Sequence, residues 1–365
     1  MRITDKLRSY LQTMSEIDAS DLHLRVGSRP IFRVNGELKM AKNYEELNDA
    51  DTEEIANELM NDHQRELYEK RHEVDLSFSI KDMARFRANV FQQRGFVNIV
   101  LRFIPNNIQN FEQLNLPHSL KKIASQDRGL ILVTGTTGCG KTTTLASMID
   151  YINRKFSKHI ITIEDPIEFI HQDKKSIISQ RELGNDTYNY VDALKHIVRQ
   201  DPDVILIGEM RDMDTMAAAI TAAQTGHLVF STTHTTAAIQ TISRIVDIFP
   251  PHQQNQIRIQ LADSLSAVIS LRLLRRKDRE GMIPAAEVLV VTSLISSLIE
   301  ENKFSSIHEH LEKGDYYGMQ TFNQSLERLY KKGMISLDDA KKAATNPEDL
   351  MLKIRGIQSE SGAKG

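Results

Sequence analysis

Apolar side chains recur with a helical period at the start of the chain and then switch to alternation. Ile3, Leu7, Tyr10, Leu11 and Met14 fall on one helical face, whereas Asp21 to Val26 alternates as a half-buried strand does. Pro30 to Val34 and Glu37 to Met40 flank Asn35-Gly36, a pair suited to the positive φ angles of a tight turn, so the spacing predicts a hairpin. Asp51 to Lys70 reads as helical, and Val74 to Ile80, Arg85 to Phe91 and Val97 to Phe103 alternate again. This first region is α+β.

The period breaks from Ile104 to Pro117, around Pro105-Asn106-Asn107, and returns as a helix over Ser119 to Ser125. Beyond it the apolar strands Leu130 to Thr134, His159 to Ile163, Val204 to Ile207 and Leu228 to Ser231 alternate with helices from Thr142, Tyr190 and Asp214. That order predicts an α/β fold, a parallel sheet with helical crossovers. An apolar run over Glu287 to Val291 precedes helical patterns near Leu294 to Glu301, Gln320 to Lys332, Asp338 to Ala344 and Pro347 to Ile354. The expected organisation is therefore an N-terminal domain over residues 1–104, a linker over 105–118, a core over 119–292, a helical region over 293–355 and a disordered polar tail over 356–365.

Length agrees with this division, because 365 residues exceed the usual size of one compact core. A net charge of -3 gives no general attraction to phosphate backbones, and nucleic acid is not expected as a partner. The single cysteine, Cys139, cannot close an internal disulfide, and no leader opens the chain, which favours the cytoplasm. No apolar run approaches the roughly 20 residues needed to cross a bilayer, so membrane association is expected to be peripheral.

The strongest chemical signal is Gly135-Thr-Thr-Gly138-Cys-Gly140-Lys141-Thr142, a phosphate loop entered from an apolar strand and left by a helix. Its glycines let backbone amides turn toward phosphate oxygens, and the helix start adds unsatisfied donors. The residues in line to bind ATP are Gly135, Thr136, Thr137, Gly138, Cys139, Gly140, Lys141, Thr142 and Thr143, with the Cys139 thiol a bystander. Lys141 reaches the β- and γ-phosphates, and the Thr142 hydroxyl is a ligand for Mg²⁺, which keeps most of its waters.

Two carboxylate groups follow apolar strands. Asp203 to Gly208 delivers Glu209 to the carboxyl edge of the sheet, where it can polarise the attacking water or hold a water of the Mg²⁺ shell. Glu164-Asp165-Pro166-Ile-Glu168 is expected at the same edge, against the alternative of a turn with solvated acids. Gly226 to His234 puts His227 and His234 at opposite ends of a strand, with only His234 at the ligand edge, as a γ-phosphate sensor or a structural group. In the first region Arg85, Arg87 and Asn89 share a strand face, and Arg102 stands between Val100 and Ile104. These guanidinium groups want an anionic partner, either a nucleotide or an intradomain carboxylate.

Taken in order, Gly135 to Thr142, Thr162 to Glu168, Gln200 to Asp212 and Gly226 to His234 resemble the secretion-superfamily ATPases. Ser20-Asp-Leu-His-Leu24 and Gly318-Met-Gln-Thr-Phe322 narrow the resemblance to the type IV pilus retraction, twitching-motility branch that includes PilT and PilU. The resemblance implies a PAS-like N-terminal domain, a RecA-like P-loop ATPase core and a homohexamer at the cytoplasmic face of the inner membrane, working on a pilus platform protein. It also implies that Glu209 is the catalytic carboxylate, that Glu164 and Glu168 form an acidic box, that His227 and His234 form a histidine box, and that Arg87 and Arg102 point toward nucleotide. One stretch departs: Leu294-Ile-Ser-Ser-Leu-Ile-Glu-Glu301 has Ser296 and Glu300 where main-type retraction motors carry arginines. That departure favours an accessory, PilU-like motor that works beside another retraction ATPase. A nucleotide-responsive interaction subunit without productive hydrolysis, and a RecA-like nucleic-acid translocase, are the competing classes.

Overall fold

The computed structural model describes residues 4–34, 36–80, 83–104 and 108–356. Ile3, Asn35, the break at Pro105-Asn106-Asn107 and the tail from residue 357 lie outside the described residues. The chain forms two compact units, residues 1–107 together with Glu168–Ile170, and residues 108–167 together with 171–365.

In the first unit, strands β1 (Asp21–Arg25), β2 (Ile31–Val34), β3 (Glu37–Met40), β4 (Glu73–Ile80), β5 (Ala84–Gln93) and β6 (Phe96–Ile104) form an antiparallel sheet in the order β3-β2-β1-β6-β5-β4. Alternation along β5 buries Phe86, Ala88 and Val90 in one core with Leu7, Tyr10, Leu11 and Met14 of the helix Asp5–Glu16. The helical stretch expected over Asp51 to Lys70 comprises two helices, Asp49–Leu59 and Asp62–Arg71. Met60 is extended, and Asn48 with Asp51, then Asn61 with Gln64, close reciprocal capping boxes that each start a new helix.

The second unit holds a seven-stranded sheet of β7 (Gly129–Thr134), β8 (His159–Glu164), β9 (Ile177–Glu182), β10 (Val204–Ile207), β11 (Leu228–Thr233), β12 (Leu265–Arg275) and β13 (Met282–Val290). Its order is β13-β12-β7-β11-β10-β8-β9, parallel except for the β12–β13 pair. Successive residues of the central strands feed two cores. Leu130, Leu132, Ile205, Ile207 and Val229 face one, and Ile131, Val133, Val204, Leu206 and Phe230 face the other. Burial on both faces is what continuous apolar runs signal in parallel strands. Phe111 and Leu116, read from the sequence as linker, are buried in the second of these cores. The C-terminal helices pack against the β12–β13 hairpin through Phe322, Leu326, Leu329 and Leu350. Among the described residues, no helix is long and apolar enough to cross a membrane.

Candidate active site

The phosphate loop starts where β7 ends. Gly135 has φ +142°, and a side chain there would meet Cys139 Sγ at 2.5 Å and the Leu271 carbonyl at 2.6 Å. Gly138 (φ +77°) and Gly140 (φ +96°) also hold positive φ, with open space where a Cβ would point. The loop thus bends freely over its outer side while its base is packed tight. Cys139 is buried beneath it, and burial pushes its thiol pKa up. Lys141 opens the helix Lys141–Lys155, and its ammonium donates to the carbonyls of Gly135 (2.8 Å) and Thr136 (3.1 Å). Thr136, Thr137 and Gly138 are exposed, and Thr142 and Thr143 are half-buried at the helix start.

Parallel register carries Glu209 to the same edge. Ile207 pairs with Ser231 and Ile163, so Gly208 and Glu209 leave β10 beside the ends of β11 and β8. With strands about 4.8 Å apart, β10 lies roughly 10 Å from β7. Gly208 is tight: a Cβ would sit 3.1 Å from Tyr190 Oη and 3.3 Å from both Glu164 Cα and the Ile163 carbonyl. One Glu209 oxygen lies 2.7 Å from His234 Nε2 and the other 2.8 Å from Arg211 Nη2. Burial pushes the Glu209 carboxyl up, but Arg211 and His234 outweigh it and hold the group below the usual carboxylate range. Burial, with Asp165 and Glu209 nearby, instead raises the Tyr190 phenol. Glu209, Arg211, His234 and Arg244 line a cavity of about 240 Å³ floored by Met216, Thr241 and Ile245.

Glu164 ends β8 almost buried, and its Oε1 accepts from Thr162 Oγ1 at 2.7 Å and Gln180 Nε2 at 3.2 Å. The chain turns at the cis Asp165–Pro166 bond, the Ile167 amide is held by Glu182 Oε2 at 3.0 Å, and Glu168 is exposed and grouped with the first unit. The acid that stands beside Glu164 in register is Glu182, buried at the end of β9. Sequence reading missed it because Ile177 to Glu182 is an edge strand with only a short apolar start. His227 lies at the amino end of β11, where its Nδ1 contacts the Ala222 carbonyl at 2.9 Å. The six-residue strand Leu228–Thr233 lies between it and His234, seven steps at about 3.3 Å each, or roughly 23 Å.

In the first unit Arg87 and Arg102 are direct cross-strand partners. Arg102 Nε donates to Asp21 Oδ1 at 2.8 Å, Arg33 Nε lies 3.7 Å from Asp21 Oδ2, and Arg87 Nη2 lies 3.8 Å from Asp75 Oδ1. The intradomain carboxylates are therefore Asp21 and Asp75. Cross-strand register, which sequence alone does not give, selects them.

A parallel sheet that collects a phosphate loop, a polarised glutamate and a histidine at its carboxyl edge defines a RecA-like P-loop ATPase core. The chain matches the family described as Type II/IV secretion system protein over residues 2–341. It is 46% identical over 321 residues to the twitching motility protein of Neisseria gonorrhoeae, covering 88% of this chain and 86% of that one. It is 40% identical over 358 residues to the type IV pilus ATPase PilU of Pseudomonas aeruginosa, covering 98% and 93%. The crystal structure of the pilus retraction motor PilT with bound ADP superposes with a TM-score of 0.88 at 46% identity, over 94% of this chain and 98% of that one. The chain belongs to the type II/IV secretion system protein family, in its PilT/PilU branch of pilus retraction ATPases.

Proposed function

We propose that the second unit binds ATP with Mg²⁺ at the carboxyl edge of its sheet, that Glu209 readies water for attack on the γ-phosphate, and that turnover powers pilus retraction. The observation that carries this reading is the Glu209 carboxylate, kept ionised by Arg211 and His234 at the edge that also bears the phosphate loop. Gly135 to Thr143 wrap the triphosphate through main-chain amides, and Lys141 exchanges its carbonyl contacts for phosphate oxygens. Among the described residues no group of three or more His, Cys, Asp or Glu side chains could hold a metal by itself. That suits Mg²⁺, which is commonly held by one or two protein oxygens, water and the nucleotide. Thr142 and, through water, Glu209 are the residues that would hold it; bound there it neutralises phosphate charge.

His234 is assigned as the group that senses the γ-phosphate, because a new anion beside it changes its contact with Glu209. Glu164 orders the neighbouring strand end. Arg87 and Arg102 are assigned as cations directed to nucleotide, for which Arg102 must exchange Asp21 for phosphate. Glu168 and His227 are kept as residues of the acidic and histidine boxes on family resemblance alone. A homohexamer at the cytoplasmic face of the inner membrane, acting on a pilus platform protein, is the assembly that this branch supports.

One observation favours an accessory, PilU-like motor assisting another retraction ATPase. Ser296 donates to the Ala262 carbonyl at 2.7 Å, and Glu300 is exposed, so the helix Ser293–Glu300 presents no arginine at either position. Steady-state phosphate release by the purified chain tests the motor reading directly. Mg²⁺-dependent turnover that vanishes in Lys141→Ala supports it; intact ATP binding with no turnover would replace it with a nucleotide-responsive subunit. Deletion in the native cell, scored for retraction force, separates an independent from an accessory motor.

A further inference from the structure

Glu287 is a buried carboxylate on β13 that the reading above does not use. Its Oε1 accepts from the Ala238 amide at 2.8 Å. Ala238 is the first residue of the helix Ala238–Ile248, whose N-cap, Ala237, offers no side-chain acceptor. Glu287 therefore supplies from another strand the cap that the local sequence lacks. The turn entering this helix runs directly from His234. Thr233 Oγ1 and Thr235 Oγ1, one on each side of His234, are 3.0 Å apart, and Thr235 Oγ1 lies 2.6 Å from Thr241 Oγ1. Thr241 then donates to the Ala237 carbonyl at 2.8 Å. A continuous run of buried and partly buried hydrogen bonds thus joins the residues flanking His234 to the helix start that Glu287 holds.

The other end of this anchor is fixed as well. On β13 the Ala286 amide donates to Ser325 Oγ at 3.1 Å, and Gln320 Nε2 donates to the Ala286 carbonyl at 2.7 Å. Val288 and Gln320 exchange backbone hydrogen bonds. Glu287 is held between two residues pinned to the C-terminal region, so it has little freedom to follow a helix that shifts.

We propose that Glu287 is a positioning residue for hydrolysis: by holding the first turn of Ala238–Ile248 it fixes the segment that presents His234 to Glu209. The inference rests on the reading that Glu209 and His234 act in turnover. Loss of the anchor loosens the His234 segment and leaves the phosphate loop, on another strand, as it was.

The test is steady-state ATP turnover and ADP binding by the full chain. Glu287→Ala should lower kcat roughly tenfold, in line with the loss of a helix cap, while ADP affinity stays at the parent value. Glu287→Gln keeps an acceptor for the Ala238 amide and should recover most of the rate. His234→Ala combined with Glu287→Ala should be little slower than His234→Ala alone, because both remove the same contact. If Glu287→Ala fails to fold, Ala238→Pro removes the donor instead, at a first helical position that tolerates proline and after an extended Ala237 (φ −153°, ψ 154°). It should show the same selective loss of kcat. Parent kcat in the folded variant overturns the proposal, as does parallel loss of ADP binding and kcat, or full additivity with His234→Ala. A Glu209→Gln control separates the two failures. Full turnover there removes the catalytic reading itself, whereas an inactive Glu209→Gln beside a fully active Glu287→Ala removes this inference alone.

Discussion

His234 Nε2 lies 2.7 Å from Glu209 Oε1, and this contact spans neighbouring parallel strands at the edge where the phosphate loop begins. With Arg211 on the second oxygen, it keeps Glu209 charged where burial alone would favour the neutral acid. A carboxylate acting on water must stay deprotonated to work.

That balance predicts a pH effect. Glu209 is depressed, so the parent chain should retain its charged form down to pH values below the ordinary carboxylate range. Arg211→Ala removes the strongest of the opposing influences, and the acid limb of kcat/KM should then move to higher pH. An unchanged limb in a pH–rate profile of Arg211→Ala would mean that Glu209 does not control it.

Gly135→Ala should disable the loop. The new methyl would fall on Cys139 Sγ and the Leu271 carbonyl at a φ of +142°, and the Leu271 side of that contact is backbone that has little room to move. Strain of this kind costs about 1–3 kcal/mol, and ADP binding measured by calorimetry should be lost or weakened at least tenfold. Gly138→Ala has open space, so its penalty should come from φ alone and be the smaller of the two.

His171 predicts an acid weakness in the second unit. Burial pushes its imidazole down to about 4, with Asp150 pulling up and Lys174 pushing down. The unfolded chain takes a proton near pH 6.5 and the folded chain does not, so stability should fall as pH drops from about 6.5 toward 4. The loss is on the order of 1–3 kcal/mol, and His171→Gln should flatten that window in urea titrations followed by circular dichroism.

Asp21 adds a second acid-sensitive contribution, in the first unit. Burial pushes its carboxyl up, but hydrogen bonds from Ser20 and Arg102, with Arg33 nearby, bring it below its ordinary value. Its contribution is present above the unfolded carboxylate pKa and lost as pH falls through the lower native value. Asp21→Asn should therefore cost about 1 kcal/mol at neutral pH, modest because Arg102 is largely solvent-exposed, and almost nothing in strong acid. Calorimetric melting of both chains across that range checks the convergence.

Much of this site was legible in the sequence because local rules set it. A phosphate loop needs glycines, lysine and a hydroxyl at fixed spacing, and a buried strand followed by an acid, as at Val204 to Glu209, reads directly. What was not legible depends on register and long-range packing. The Arg102–Asp21 pair joins residues 81 positions apart, and Glu287 meets Ala238 across 49. β12 was missed because the sequence reading followed only the later apolar run into β13, although Leu265 to Leu274 is itself rich in apolar residues. Glu182 stands beside Glu164 only through the β8–β9 register, which the local sequence does not give.

The most direct test of the central claim is one comparison on purified protein: phosphate release and Mg²⁺-ATP binding by the parent and by Glu209→Gln. The account predicts parent-like binding with turnover reduced by roughly a hundredfold or more, the scale of a lost general base. Turnover at the parent rate in folded Glu209→Gln that still binds ATP would contradict it.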